Sequence, residues 1–277
     1  MQVIRSIPQM LAVQYTPAAQ VGFVPTMGYL HDGHLSLVDA ARRDCDVVVV
    51  SIFVNPAQFG PSEDLQSYPR DMDRDLSLLQ KHHVDYAFLP DAEDMYPEGY
   101  ATWVEVSGLS DLLCGASRPN HFKGVCTVVL KLINIVHPHC MYMGEKDFQQ
   151  YFILRKMAED LNLNLRVLSC PIIREEDGLA KSSRNSYLDS QQRQQASCLY
   201  QALRNSRQMV KAGECDAAKI IAAAEAILIS NNAKVDYIQI VNSTNLMPVD
   251  SIDENSRMLI AAWIGKPRLI DNMLLKA

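Results

Sequence analysis

His31 and His34 stand three residues apart in the stretch Val21-Gly-Phe-Val-Pro-Thr-Met-Gly-Tyr-Leu-His-Asp-Gly-His34. At that spacing two side chains share one face of a helix's first turn. Two imidazoles so placed can donate hydrogen bonds to oxygens on which charge develops. Gly33 between them keeps a side chain out of the path of a flat ring or a phosphate. Three further groups suit a nucleotide and a small polar acid. Asn55 and Gln58 carry neutral amides that both donate and accept. Gly144-Glu-Lys-Asp147 offers an unobstructed backbone, a point charge for phosphate at Lys146 and an acceptor for ribose hydroxyls at Asp147, with Gln150 one turn further on. Lys181-Ser-Ser-Arg184 joins hydroxyls to two cations, a set that can close over phosphates and exclude water. Plainer readings exist: half-buried histidines, an Asn-Pro turn, an acidic helix cap at Glu145 and Asp147, and a polar linker at 181–184.

The elements that must position these residues follow from the pattern. The apolar run Val21–Val24 reads as a buried strand, broken by Pro25 and Gly28, before an amphipathic helix opens at Leu35. The intervening turn should offer backbone N–H groups and the positive end of a helix dipole to a phosphate. Val47–Val54 is too apolar to expose either face and reads as a central parallel strand, with Asn55 and Gln58 at its C-terminal end, where ligands of open α/β sheets bind. A helix over about 71–83 places Asp71, Asp73 and Asp75 in its first turn, where they suit the dipole or could support magnesium. Strands are expected at 84–90, at the edge over 102–106, before Gly144 and over 165–173, with a long apolar helix at 125–136. Arg118, His121 and Lys123, ahead of that helix, form either a polyphosphate rim or a solvated basic loop. The first twenty residues hold one short helix. Helices over about 190–212 and 216–231, then strands at 237–241 and 258–265, suggest a smaller α+β domain acting as a lid. The pattern is thus α/β, a parallel-sheet domain over 1–175 and a second domain over 176–277.

A chain of 277 residues, 48% hydrophobic and 21% charged, is an ordinary globular composition. A net charge of −6 argues against a nucleic-acid partner, which needs a basic field. No apolar run approaches a membrane span, and no basic, then apolar leader is seen, so no membrane partner is expected. Seven cysteines with no Cys-x-x-Cys pair read as buried thiols in a reducing compartment, the cytoplasm.

His-x-Gly-His resembles the signature of the nucleotidyltransferases and class I aminoacyl-tRNA synthetases. The wider string Pro25–His34 resembles the pantothenate synthetase family, as do Asn55-Pro-x-Gln-Phe59, Gly144–Gln150, Leu179–Leu188 and Arg268–Asn272. The resemblance covers nearly all of the chain after residue 20. It implies a Rossmann-like parallel-sheet domain, a smaller C-terminal α+β domain and a homodimer. It also implies condensation of (R)-pantoate with β-alanine through a pantoyl adenylate, consuming ATP and releasing AMP and pyrophosphate, with Mg2+. Residue by residue, it makes His34 the acid, with His31, Lys146, Ser182, Ser183 and Arg184 stabilising the departing pyrophosphate. It places ATP against Met27, Gly28, Tyr29, Leu30, His31, Asp32, Gly33 and His34, against Gly144, Glu145, Lys146 and Asp147, and against Ile173, Lys181, Ser182, Ser183 and Arg184. Gln58 and Gln150 would hold pantoate, Gln58 also β-alanine, and Asp75 the metal. Two rivals stay open: a nucleotidyltransferase that leaves the nucleotide on its product, and an idle nucleotide-binding module.

Overall fold

The valine run at 47–54 has no polar face to leave in water. In the computed structural model, which describes residues 1–61 and 63–276, it lies in the middle of a sheet. The first unit ends at Pro171 and the second opens at Ile172, a few residues before the boundary drawn from the sequence.

The first unit runs β1 (Gln2–Ile4), α1 (Ile7–Leu11), β2 (Val21–Thr26), α2 (Asp32–Asp44), β3 (Val47–Ile52), α3 (Met72–Lys81), β4 (Tyr86–Phe88), α4 (Ala92–Met95), α5 (Cys114–Ser117), α6 (His121–Val136), β5 (Cys140–Gly144), α7 (Phe148–Asp160) and β6 (Arg166–Cys170). Its six strands are ordered β1-β4-β3-β2-β5-β6, every neighbouring pair parallel. Val48 and Val50 pack with Leu37, Val38 and Ala41 of α2 and Leu79 of α3. Val49, on the opposite face, is equally buried, so both faces are covered, as parallel sheets require. The chain lays down β2, β3 and β4 in one direction, then returns to place β5 on the other side of β2. The C-terminal ends of β3, β2 and β5 therefore adjoin at the point where strand order reverses, the place where such sheets bind ligands.

Some elements differ from the sequence reading. Pro25 does not end β2, which continues to Thr26, whose hydroxyl donates to the Ser51 carbonyl (2.7 Å). The stretch 102–106 forms no strand: Val104 N–H donates to the Thr127 hydroxyl (3.0 Å) instead of to a ladder. The edges are β6 and β1, the latter too short at three residues to show a period. Helix α6 starts at His121, after a left-handed Asn120 (φ 65°), a conformation that asparagine tolerates better than most residues.

In the second unit a 3₁₀ turn (Ser183–Tyr187) leads to α8 (Ser190–Ala196), α9 (Cys198–Lys211) and α10 (Ala217–Ser230), then β7 (Lys234–Asn242), β8 (Ser256–Trp263) and β9 (Arg268–Leu274). The expected single helix over 190–212 is split at Ser197, whose hydroxyl bonds back to the Gln194 carbonyl (2.9 Å), a competitor of the helical ladder. Leu199, Leu203, Ile220 and Leu228 pack against Met258, Ile260 and Ala262 of an antiparallel three-stranded sheet, β7-β8-β9, giving the expected α+β layer. All seven cysteines are thiols, six of them buried. Among the described residues no helix is long and apolar enough to cross a membrane.

Candidate active site

The turn leaving β2 is built from two consecutive left-handed residues, Gly28 (φ 81°) and Tyr29 (φ 51°). Glycine is required at 28, where a Cβ would lie 2.9 Å from Ile52 Cγ2 and 3.1 Å from Asp75 Oδ2. The N–H groups of this turn point into the protein. Gly28 donates to Thr26 Oγ1 (3.2 Å), while Tyr29 and Leu30 donate to the two oxygens of Asp75 (2.7 Å each). His31 N–H donates to His34 Nδ1 (3.4 Å), and Gly33 N–H to His31 Nδ1 (3.1 Å), which caps α2. The expected backbone cradle for a phosphate is therefore narrowed: the N–H groups of Gly28, Tyr29, Leu30, His31 and Gly33 have protein acceptors.

Both imidazoles gain a defined tautomer from this arrangement. An Nδ1 that accepts from a backbone N–H carries no proton, so Nε2 carries it in each neutral ring. The rings lie 4.1 Å apart, tilted by 37°. Burial and the neighbouring His31, with Lys146 adding to them and Asp147 opposing, pull the pKa of His34 down to about 3. His34 is thus a neutral Nε2–H donor at ordinary pH.

At the end of β3, Asn55 is 1% exposed and satisfies all four of its hydrogen-bonding positions. Oδ1 accepts from Tyr96 OH (2.8 Å) and Ala57 N–H (3.3 Å); Nδ2 donates to Gly124 O (3.2 Å) and Gln58 Oε1 (3.0 Å). Ala57 N–H can only donate and Gly124 O can only accept, so the polarity of Asn55 is determined. The atom of Gln58 beside Asn55 Nδ2 must then be the oxygen, which leaves Nε2, 3.2 Å from Met27 Sδ, as the end of Gln58 that can serve as a donor. Burial, and then Tyr100, raise the pKa of Tyr96, keeping its hydroxyl protonated for Asn55.

Arg118, His121 and Lys123 form neither the rim nor the solvated loop expected of them. Arg118 grips Glu63 through Nε (2.7 Å) and Nη2 (2.6 Å) and reaches His121 Nε2 with Nη1 (3.0 Å). His121 Nδ1 donates to the Gln58 carbonyl (2.9 Å). Burial, then the charge of Arg118, lower His121's pKa to about 4. Burial pushes Glu63 upward, but the bonds and charge of Arg118 prevail and hold it below the usual carboxylate range. This group clamps the Gln58 loop. Lys123 lies over the Trp103 ring, 5.9 Å from its centroid. Sequence reasoning missed Tyr96 and Glu63, since nothing in their local spacing marks them.

At the end of β5, a Cβ on Gly144 would meet only open space. Glu145 accepts from the Ser169 hydroxyl (3.3 Å), and Lys146 pairs with Asp147 at 3.6 Å. Lys146 and Asp147 lie near enough to act on the ionisation of His34, which brings these two strand ends together. Gln149 is buried and binds the backbone of Leu109, Leu112 and Cys114, whereas Gln150 is half-buried beside it.

Ile173 and Lys181–Arg184 belong to the second unit. Lys181 N–H donates to Ile173 O (2.9 Å), and an antiparallel bridge joins Arg174 to Ala180, so 173–181 is a small hairpin. Arg174 is held bidentately by the buried Asp271 (2.6 and 2.9 Å) and lies 4.4 Å from the Tyr200 ring centroid. Ser182 Oγ accepts from Arg184 N–H (3.3 Å) to open the 3₁₀ turn, and Lys181 lies 3.7 Å from Glu175. The string Arg268–Asn272 thus has a physical role: it supplies the anchor of this hairpin.

Asp75, expected as a metal ligand, is 1% exposed with both carboxylate oxygens on backbone N–H groups. Among the described residues no three His, Cys, Asp or Glu side chains cluster as a metal site would.

The profile of the pantoate-beta-alanine ligase family matches residues 2–274. The pantothenate synthetase of Thermosipho melanesiensis is 52% identical over 277 residues, 99% of each chain. The crystal structure of pantothenate synthetase from Thermus thermophilus superposes with a TM-score of 0.96 at 45% identity, covering all of both chains. The pantoate-beta-alanine ligase of Francisella tularensis, solved with beta-gamma ATP and beta-alanine, is 36% identical with a TM-score of 0.84, over 100% of this chain and 98% of that one. With a family match over residues 2–274 and a relative 52% identical over 99% of each chain, the chain belongs to the pantoate–beta-alanine ligases and is an enzyme that joins those two molecules.

Proposed function

We propose that the ligation runs in two steps at the ends of β2, β3 and β5. A carboxylate is a poor acyl donor, so a pantoate oxygen first attacks the α-phosphorus of ATP, and the bond to the pyrophosphate oxygen breaks. The amine of β-alanine then attacks the acyl carbon of the pantoyl adenylate, the bond to AMP breaks, and the amine loses a proton as pantothenate forms. The observation that carries this reading is the paired Nε2–H tautomers of His31 and His34 beside Lys146. Neutral donors and one cation can stabilise the charge growing on the leaving pyrophosphate without holding a proton that pantoate would take. His34 Nε2–H is the donor to the oxygen that bridges the α- and β-phosphates. The open space over Gly144 takes the nucleoside against the backbone, and Asp147 accepts from its ribose. Gln58 Nε2 and Gln150 hold pantoate, with β-alanine entering at Gln58. From the second unit, the family resemblance assigns Ile173, Lys181, Ser182, Ser183 and Arg184 to ATP, the unit serving as a lid that keeps water from the adenylate.

Magnesium bound to a triphosphate needs at most one or two protein carboxylates. Both oxygens of Asp75 are engaged by backbone N–H groups and do not fit that part. A homodimer in the cytoplasm accompanies the reading, as in the family resemblance, and sedimentation velocity measures the first.

ATP–pyrophosphate exchange should require pantoate, and added β-alanine should release one AMP for each pantothenate formed. Exchange indifferent to pantoate would refute the reading. His34→Ala should slow single-turnover pyrophosphate release by about 10²–10³-fold.

A further inference from the structure

One carboxylate holds the histidine-bearing turn from outside. Asp75 lies in the first turn of α3, but Asp71 is that helix's cap, its Oδ1 accepting from Arg74 N–H (3.2 Å). Asp75 instead reaches back to residues 45 and 46 positions earlier, where Oδ1 takes Leu30 N–H and Oδ2 takes Tyr29 N–H at 2.7 Å. Those lengths belong to charge-assisted bonds. The clasped backbone is unusual, since a tyrosine at φ 51° follows a glycine at φ 81°. Such a conformation persists only where its surroundings over-determine it. The Arg74 guanidinium adds to the clasp, 3.9 Å from Asp75 Oδ1 and 5.6 Å from the Tyr29 ring centroid. The next residue along the turn is His31, whose N–H sets the tautomer of His34.

We propose that Asp75 is a positioning residue for adenylate formation: by gripping the N–H groups of Tyr29 and Leu30 it sets the direction in which His31 and His34 present Nε2–H. At 1% exposure it meets no substrate itself and acts only through the turn. This inference rests on the two-step reading above and deepens it.

Asp75→Asn in the full-length enzyme tests it. The amide keeps the shape but offers one acceptor, so one of the two N–H groups faces an NH2 group. The kcat of pantoate-dependent exchange should fall by about 100-fold, the effect of misplacing reacting groups by an ångström. The KM for pantoate, held at Gln58 and Gln150, should stay within about 2-fold. The ¹⁵N imidazole resonances of His31 and His34 should shift from the Nε2–H pattern to a tautomer mixture. Should that variant fold poorly, Asp75→Ala leaves room for a small carboxylate, and added formate should restore at least about tenfold of the lost rate. A folded variant with wild-type kcat, or one slowed with an unchanged imidazole pattern, overturns the proposal. Absence of pantoate-dependent exchange in the unmodified enzyme would instead overturn the two-step reading.

Discussion

Gln58→Glu separates the two possible orientations of one amide, and its cost can be worked from the contacts. In the glutamate variant one oxygen still accepts from Asn55 Nδ2, which now stands 3.0 Å from Gln58 Oε1, so the loop keeps its anchor. The other oxygen takes the place of Nε2 beside Met27 and faces the site. An anionic substrate then loses a charge-assisted bond of about 1.5–3 kcal/mol. Two carboxylates about 4 Å apart repel by about 4 kcal/mol at an effective dielectric near 20. Their sum exceeds the cost of the alternative, which is to protonate the introduced carboxylate. From an ordinary glutamate pKa near 4.3, that costs about 3.7 kcal/mol near pH 7. Protonation restores an O–H donor and therefore limits the loss, so pantoate affinity should fall by about 10²–10³-fold near pH 7. The deficit should shrink about tenfold for each unit that pH is lowered toward 5. Calorimetric titration of pantoate at two pH values reads both quantities. A loss under about 3-fold, or one that ignores pH, would mean that Oε1 faces pantoate and that the polarity traced from Ala57 and Gly124 is wrong.

The buried histidines make stability depend on pH. His121 has a folded pKa of about 4 against 6.5 for an unperturbed imidazole, so between those values the unfolded chain binds the extra proton. Its contribution is full above pH 6.5 and falls by about 1.4 kcal/mol per unit as pH drops toward 4, about 3 kcal/mol in all. Urea midpoints across this range should show the slope, and His121→Gln should reduce it, with His34 and the depressed carboxyl of Glu63 keeping part of it. Gly178→Ala forces a Cβ to 1.9 Å from the Tyr200 ring at a left-handed backbone position (φ 92°). It should destabilise the second unit by about 2–4 kcal/mol in a denaturant titration. Gly28→Ala pushes on Ile52 and on the Asp75 carboxylate together. Its exchange kcat should fall by about 10- to 100-fold with the KM for pantoate little changed.

What could be read in the chain and what could not divide along a physical line. The strand at β3, the strand–turn–helix around His31 and His34, and the loop at Lys181 depend on neighbours in sequence, where periodicity and turn chemistry speak directly. The misread polar residues have distant partners. Asp75 resembled a metal ligand until Tyr29 and Leu30 claimed its oxygens, and Arg118 resembled a phosphate contact until Glu63, 55 positions earlier, claimed its guanidinium. Arg174 and Asp271, 97 positions apart, gave no local hint of each other. Charge type is written at each position, but the partner that neutralises it is assigned by the fold, because a buried polar group must find one. The backbone donors of the histidine turn follow the same logic. A strand-to-helix turn announces a helix N-terminus, yet here Asp75 and the two Nδ1 atoms absorb its N–H groups. That absorption gives each imidazole its tautomer, so the contacts that occupy the backbone donors of Tyr29, Leu30, His31 and Gly33 are also what turn the two side chains into donors.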